Sequence, residues 1–159
     1  MSVTYLIAFD KELSKTKYFY KDILKSKKTV FSDNDCITFE TELLPQEKEI
    51  ANKLFQQRIV YSIRTTCPLD CNLSDKINIA EEYYICSKEQ LEWFKEFLKR
   101  KLNRTEDCLF LQISLGTPTK YSEILSQQLD VNDLEFPDNF SFTPKIIYQF
   151  VNKDRKSVV

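Results

Sequence analysis

The run CLFLQISL, residues 108–115, constrains this chain more than any other stretch. Leu109, Phe110 and Leu111 are consecutive, and side chains alternate between the faces of a strand, so this one is apolar on both faces. Such a strand belongs in the middle of a sheet, where both faces are covered. Five further segments read as strands to build round it: VTYLIAF at the N-terminus, KTVFSDNDCITFETE as a hairpin turning at Ser32–Asp35, RIVYSIR, NIAEEYYIC, and KIIYQFVN near the end. In the hairpin Ile37 and Phe39 share one face. In RIVYSIR, Ile59, Tyr61 and Ile63 point inward.

Helical spacing separates these strands. In SKEQLEWFKEFLKRKL, Ser87 and Gln90 have the form of a capping box, and Leu91, Phe94, Leu98 and Leu102 recur on one face, widened by Trp93 and Phe97. In LLPQEKEIANKLFQQ, Pro45 suits the first helical position, and Ile50, Ala51 and Leu54 give the buried side. A third helix is expected in DKELSKTKYFYKDILKSKK, capped by Asp10, with Leu13, Tyr20, Ile23 and Leu24 inward. A fourth is expected in TPTKYSEILSQQL, with Tyr121, Ile124, Leu125 and Leu129 as its stripe.

From Cys36 to Leu115 the order is therefore strand, helix, strand, strand, helix, strand, the order of a ferredoxin-like split βαβ unit. The expected class is α+β: a mixed, mainly antiparallel sheet with helices packed mostly on one face. One domain over residues 1–152 fits a chain of 159 residues, with a disordered basic tail at 153–159.

Composition excludes more chemistry than it suggests. The chain has no histidine and a single glycine, Gly116. Ser–His and Cys–His catalytic pairs are therefore absent. So are the glycine-rich phosphate loops, whose backbone must approach the ligand closely. The five cysteines do not form paired knuckles. Cys67 and Cys71, in RTTCPLDCN, make one CxxxC, while Cys36, Cys86 and Cys108 stand singly, so neither zinc nor an iron–sulfur cluster is expected. Arg64 is the nearest cation to that pair, which gives no setting for a reactive thiolate, and Pro68 and Asp70 mark a turn. Pro137-Asp138 followed by Asp154-Arg155-Lys156 matches a metal-dependent nuclease pattern only superficially, because its second half lies at the chain end. No cofactor and no catalytic residue is expected. The short apolar run Val3–Phe9 has no basic stretch before it and reads as a strand rather than a leader, which makes the expected setting cytoplasmic, with reduced thiols and no membrane.

Charge is unevenly spread although the net is −1. Residues 1–30 hold seven lysines against three acids, and residues 107–150 hold six acids against two lysines. The basic segment lacks an aromatic platform for stacking bases, so no nucleic-acid partner is expected. The stretch LDVNDLEFPDNFSF interleaves acids with large apolar residues. Asp130, Asp133, Glu135 and Asp138 can steer a basic protein partner, and Leu134, Phe136 and Phe140 can anchor it. The same pattern more commonly marks a loop whose apolar residues dock on the core and whose acids are solvated. The expectation is a protein-binding protein, in its most specific form an immunity- or antitoxin-type inhibitor, bacterial or phage in character, that covers a basic toxin domain. The alternatives are a small enzyme or regulatory domain acting on nucleic acid, or a structural accessory protein.

Overall fold

A computed structural model describes residues 3–23, 31–65, 69–71, 81–138 and 140–154. Its elements in chain order are β1 (Val3–Phe9), β2 (Lys17–Phe19), α1 (Tyr20–Ile23), β3 (Cys36–Glu40), α2 (Pro45–Leu54), β4 (Ile59–Arg64), β5 (Asp70–Cys71), α3 (Glu81–Lys101), β6 (Asp107–Ser114), β7 (Leu125–Asp130), β8 (Phe140–Ser141) and β9 (Ile146–Val151). Seven strands form one sheet in the order β2-β3-β4-β1-β6-β9-β7, and β5 pairs with β8 as a separate ribbon. Neighbours in the large sheet are antiparallel except β7, which runs parallel to β9. The fold is α+β with a mixed, mostly antiparallel sheet.

The doubly apolar strand lies where its composition demands. β6 pairs with β1 through Cys108–Ser114 and with β9 through Asp107–Phe110. Phe110 points to a large core with Tyr5, Ile7, Tyr61, Ile63, Tyr148 and Phe150. Leu111 points to a smaller one with Leu6, Ala8 and Ile113. Helix α3 covers the first face through Leu91, Trp93, Phe94, Phe97 and Leu98, with Leu102 just beyond its end, all buried. Rings there meet at stacked and edge-on geometries, such as Trp93 on Phe97 and Phe94 against Phe142, each worth about 0.5–1.5 kcal/mol beyond its burial. Helix α2 lies on the opposite face, over Leu6 and Leu111, through Ile50 and through Phe55 at its C-terminal end.

Several buried polar groups on the first face tie it to neighbouring loops, while the indole N–H of Trp93 is buried without a hydrogen-bond partner among the described residues. The hydroxyls of Tyr5, Tyr61 and Tyr148 accept hydrogen bonds from the N–H groups of Leu69, Leu13 and Thr143, which ties three loops to the large core. Asn152 donates to the carbonyls of Lys99 and Leu102, and so satisfies the C-terminal turn of α3.

Four sequence expectations need correction. The helix expected over 10–28 is confined to Tyr20–Ile23 among the described residues, because Lys17–Phe19 pair with β3 instead. The first arm of the expected hairpin, apart from Phe31, lies outside the described residues, and β3 takes β2 and β4 as neighbours. The strand expected over 78–86 is helical from Glu81. Ser87 is therefore a buried position inside α3 rather than its cap, and Gln90 accepts a hydrogen bond from the Tyr20 hydroxyl at 2.6 Å. The helix expected over 117–129 is a 3-10 turn at Tyr121–Glu123 followed by β7.

With the strand at 78–86 gone, the six-element order from Cys36 does not form. A split βαβ is nevertheless present. β4, α3 and β6 make a parallel crossover with β1 inserted between the strands, since β4 and β6 are each antiparallel to β1. Ile59 begins β4 exposed, whereas Tyr61 and Ile63 are buried as expected. The expected tail lies outside the described residues beyond Asp154.

Candidate functional site

The acidic-aromatic segment crosses the first face of the sheet at its β9–β7 end. Its course follows from alternation. Leu134 and Phe136 turn into the large core, and Asp133 and Glu135 between and beside them turn to solvent. Phe142 is buried against Phe110, Phe94 and Tyr148. The segment is fixed at several points. Asp130 accepts hydrogen bonds from the backbone N–H of Asn132 at 3.1 Å and from its side chain at 2.7 Å, which caps the 3-10 turn at Val131–Asp133. Asn132 in turn donates to Asn152. Lys95 of α3 donates to the Leu134 carbonyl at 2.6 Å. Downstream, Phe140 and Ser141 pair with Cys71 and Asp70.

Five of the seven residues expected to contact a partner surround one cavity of about 540 Å³: Asp130, Asp133, Leu134, Glu135 and Phe140. Gln127, Gln128 and Leu129 of β7 form its other wall, and Phe142 and Tyr148 its floor. Lys153 is the single cation among the described residues of the lining. The other two residues lie apart from it. Phe136 is buried in the core, and Asp138 forms an exposed ion pair with Lys88 of α3 at 2.9 Å. The apolar residues expected as anchors thus mainly serve the fold. The acids, with half-buried Phe140, make the accessible part of the segment. Burial pushes the Asp130 carboxyl up, but its hydrogen bonds from Asn132 and Lys153, with the Lys153 charge, outweigh this and hold it below its ordinary value.

Sequence reasoning missed the β7 wall, because Leu125 and Leu129 also fit a helical stripe. The signal that could have found it is the alternation of Leu125, Gln127 and Leu129, which share one face of the strand.

A second polar cluster lies on the other face. Glu47, in the first turn of α2, is fully buried. It accepts hydrogen bonds from Ser62 at 2.6 Å, Thr4 at 2.9 Å and the Leu44 N–H at 2.8 Å. Those donors account for both carboxylate oxygens, and no described cavity includes Glu47, so the cluster fastens α2 to β1 and β4. Cys67 lies outside the described residues, so the CxxxC pair has no described geometry. Among the described residues no group of three or more His, Cys, Asp or Glu is placed to hold a metal ion, and no helix is long and apolar enough to cross a membrane. No family model, no curated protein and no solved structure matches this chain.

Proposed function

We propose that the protein acts by binding a basic protein partner through the acidic rim at the β7 end of the sheet. In its most specific form it is an immunity- or antitoxin-type inhibitor that covers a basic toxin domain. The observation that carries this reading is the outward alternation of Asp133 and Glu135 on a segment whose intervening side chains are locked into the core. Acids held in this way lose little freedom on binding. Their shared sign raises the encounter rate with a basic surface. The adjoining cavity, with Leu129 and Phe140 in its wall, can take an apolar side chain of the partner.

The test begins with the whole chain, immobilised and exposed to extract of its native host, with mass spectrometry of what is retained. A stoichiometric basic protein is then measured against the triple variant Asp133→Lys/Glu135→Lys/Asp138→Lys, which leaves the Asp130 cap intact. Affinity is expected to fall by more than about tenfold, and association to slow as salt rises. Retention of nucleic acid alone, or undiminished affinity of the triple variant, would overturn the proposal.

A further inference from the structure

Strand β7 closes one end of the sheet. It pairs with β9 on one side, and no described strand pairs with the other. Edges of this kind are ordinarily blunted by lysine, proline or a bulge, because unpaired N–H and C=O groups recruit another strand. The sequence LSQQLD carries none of these and has a single charge, at its last residue.

The direction of the open groups follows from one hydrogen bond. Leu125 N–H donates to the Lys145 carbonyl at 2.9 Å, and Leu125 is registered with Ile146 in a parallel ladder. In such a ladder a residue that donates to one neighbour also accepts from it, and alternate residues do so. Leu125, Gln127 and Leu129 therefore turn their backbone groups toward β9. Ser126 and Gln128 turn theirs to the open side.

Three features of this edge complement one another. Leu125 is 67% exposed, more than any other large apolar side chain among the described residues. Leu129, on the same face further along the strand, lines the cavity of about 540 Å³ together with Leu134 and Phe140. Near the Leu125 end lie Lys120 and Lys145 with only Glu123 between them. At the other end lie Asp130, Asp133 and Glu135 with Lys153. An antiparallel twofold pairing of this edge with itself sets knob against hollow and the basic end against the acidic end, twice.

We infer that the protein forms a symmetric dimer by antiparallel pairing of β7 with β7 of a second copy, each Leu125 filling the hollow beside the other copy's Leu129. The register places Gln127 opposite Gln127 on the axis, Ser126 opposite Gln128, and Leu125 opposite Leu129. Ser126 and Gln128 then exchange the backbone hydrogen bonds that face water in the monomer. This pairing does not depend on the protein-binding reading. Where both hold, partner and second copy compete for the one cavity.

The experiment is sedimentation of the full chain across low to high micromolar concentrations, with amide exchange measured at both extremes. A concentration-dependent dimer is expected. The amides of Ser126 and Gln128 should gain protection as it forms, while those of Gln127 and Leu129 stay protected throughout. Leu125→Asp should raise the dimer dissociation constant about 100-fold, the order expected when a well-packed anchor is lost. Ser126→Pro removes an outward N–H without touching the β9 ladder, and should give a folded monomer. A chain that stays monomeric at every concentration overturns the inference. So does a dimer in which the Ser126 and Gln128 amides exchange as fast as in the monomer, and this readout needs no variant to fold.

Discussion

Removing the Glu47 side chain tests whether the buried cluster on the second face holds α2 in place. Glu47→Ala deletes an acceptor used by Ser62, Thr4 and the Leu44 N–H. Hydrogen bonds to a charged group are worth about 1.5–3 kcal/mol each, but the substitution also relieves the cost of burying a carboxylate, which is several kcal/mol. The two hydroxyls lie 3.3 Å apart and can still bond each other. The Leu44 N–H at the start of α2 has no such replacement, and an uncapped first turn costs about 1 kcal/mol. The net expectation is a loss of about 3 kcal/mol. For a chain of this size that lowers Tm by about 10 °C. Ser62→Ala leaves the carboxylate short of one donor and is expected to cost about 2 kcal/mol. In the double variant the effects should fall short of additivity by about 1–2 kcal/mol, since both changes break the same bond. Urea unfolding followed by circular dichroism measures all three variants. A Glu47→Ala loss below about 0.5 kcal/mol, or strict additivity with Ser62→Ala, would refute the claim that the cluster acts as a fastener.

Two further outcomes follow from titratable groups. Burial, and then the neighbouring Asp107 charge, push the Cys108 thiol far up, with only Arg58 opposing, so Cys108 should resist iodoacetamide in the native protein and react only on unfolding; alkylation as fast as that of half-buried Cys36 would contradict its burial. Asp130 has a folded pKa below its unfolded one, so its contribution to stability is complete above the unfolded value of about 4 and is lost as pH falls through the folded value. Asn132→Ala should raise the Asp130 titration midpoint seen by NMR, and an unmoved midpoint would show that the Asn132 hydrogen bonds do not hold it down.

Much of the scaffold was legible because burial imposes a period on the sequence. β1, β6 and β9 carry runs that only an interior sheet can accept, and α2 and α3 show apolar stripes that the two cores use. The single glycine, Gly116, lies at φ +85° in the turn after β6, where a side chain would strain the backbone. The acid-apolar alternation of 130–140 was also visible, although the sequence could not say whether its apolar members faced a partner or the core. The structure buries Leu134 and Phe136 and leaves the acids outside.

The sequence by itself determined the class of fold, the central strand, the two main helices and the absence of histidine and of any glycine-rich loop. Each of these follows from residue type and local period. Only the tertiary structure decided the rest. Residues 121–129 satisfy helical and strand spacing alike, and the open edge of β9 settled the matter by offering their backbone a hydrogen-bonding ladder. Tyr83, Tyr84 and Ile85 are residue types that favour strands, yet Glu81–Cys86 open a helix whose later turns are held by the large core. The self-complementary edge at β7 lay out of reach for the same physical reason. It is made of backbone groups, an exposed leucine and a cavity that come together only after residues far apart in the chain have packed.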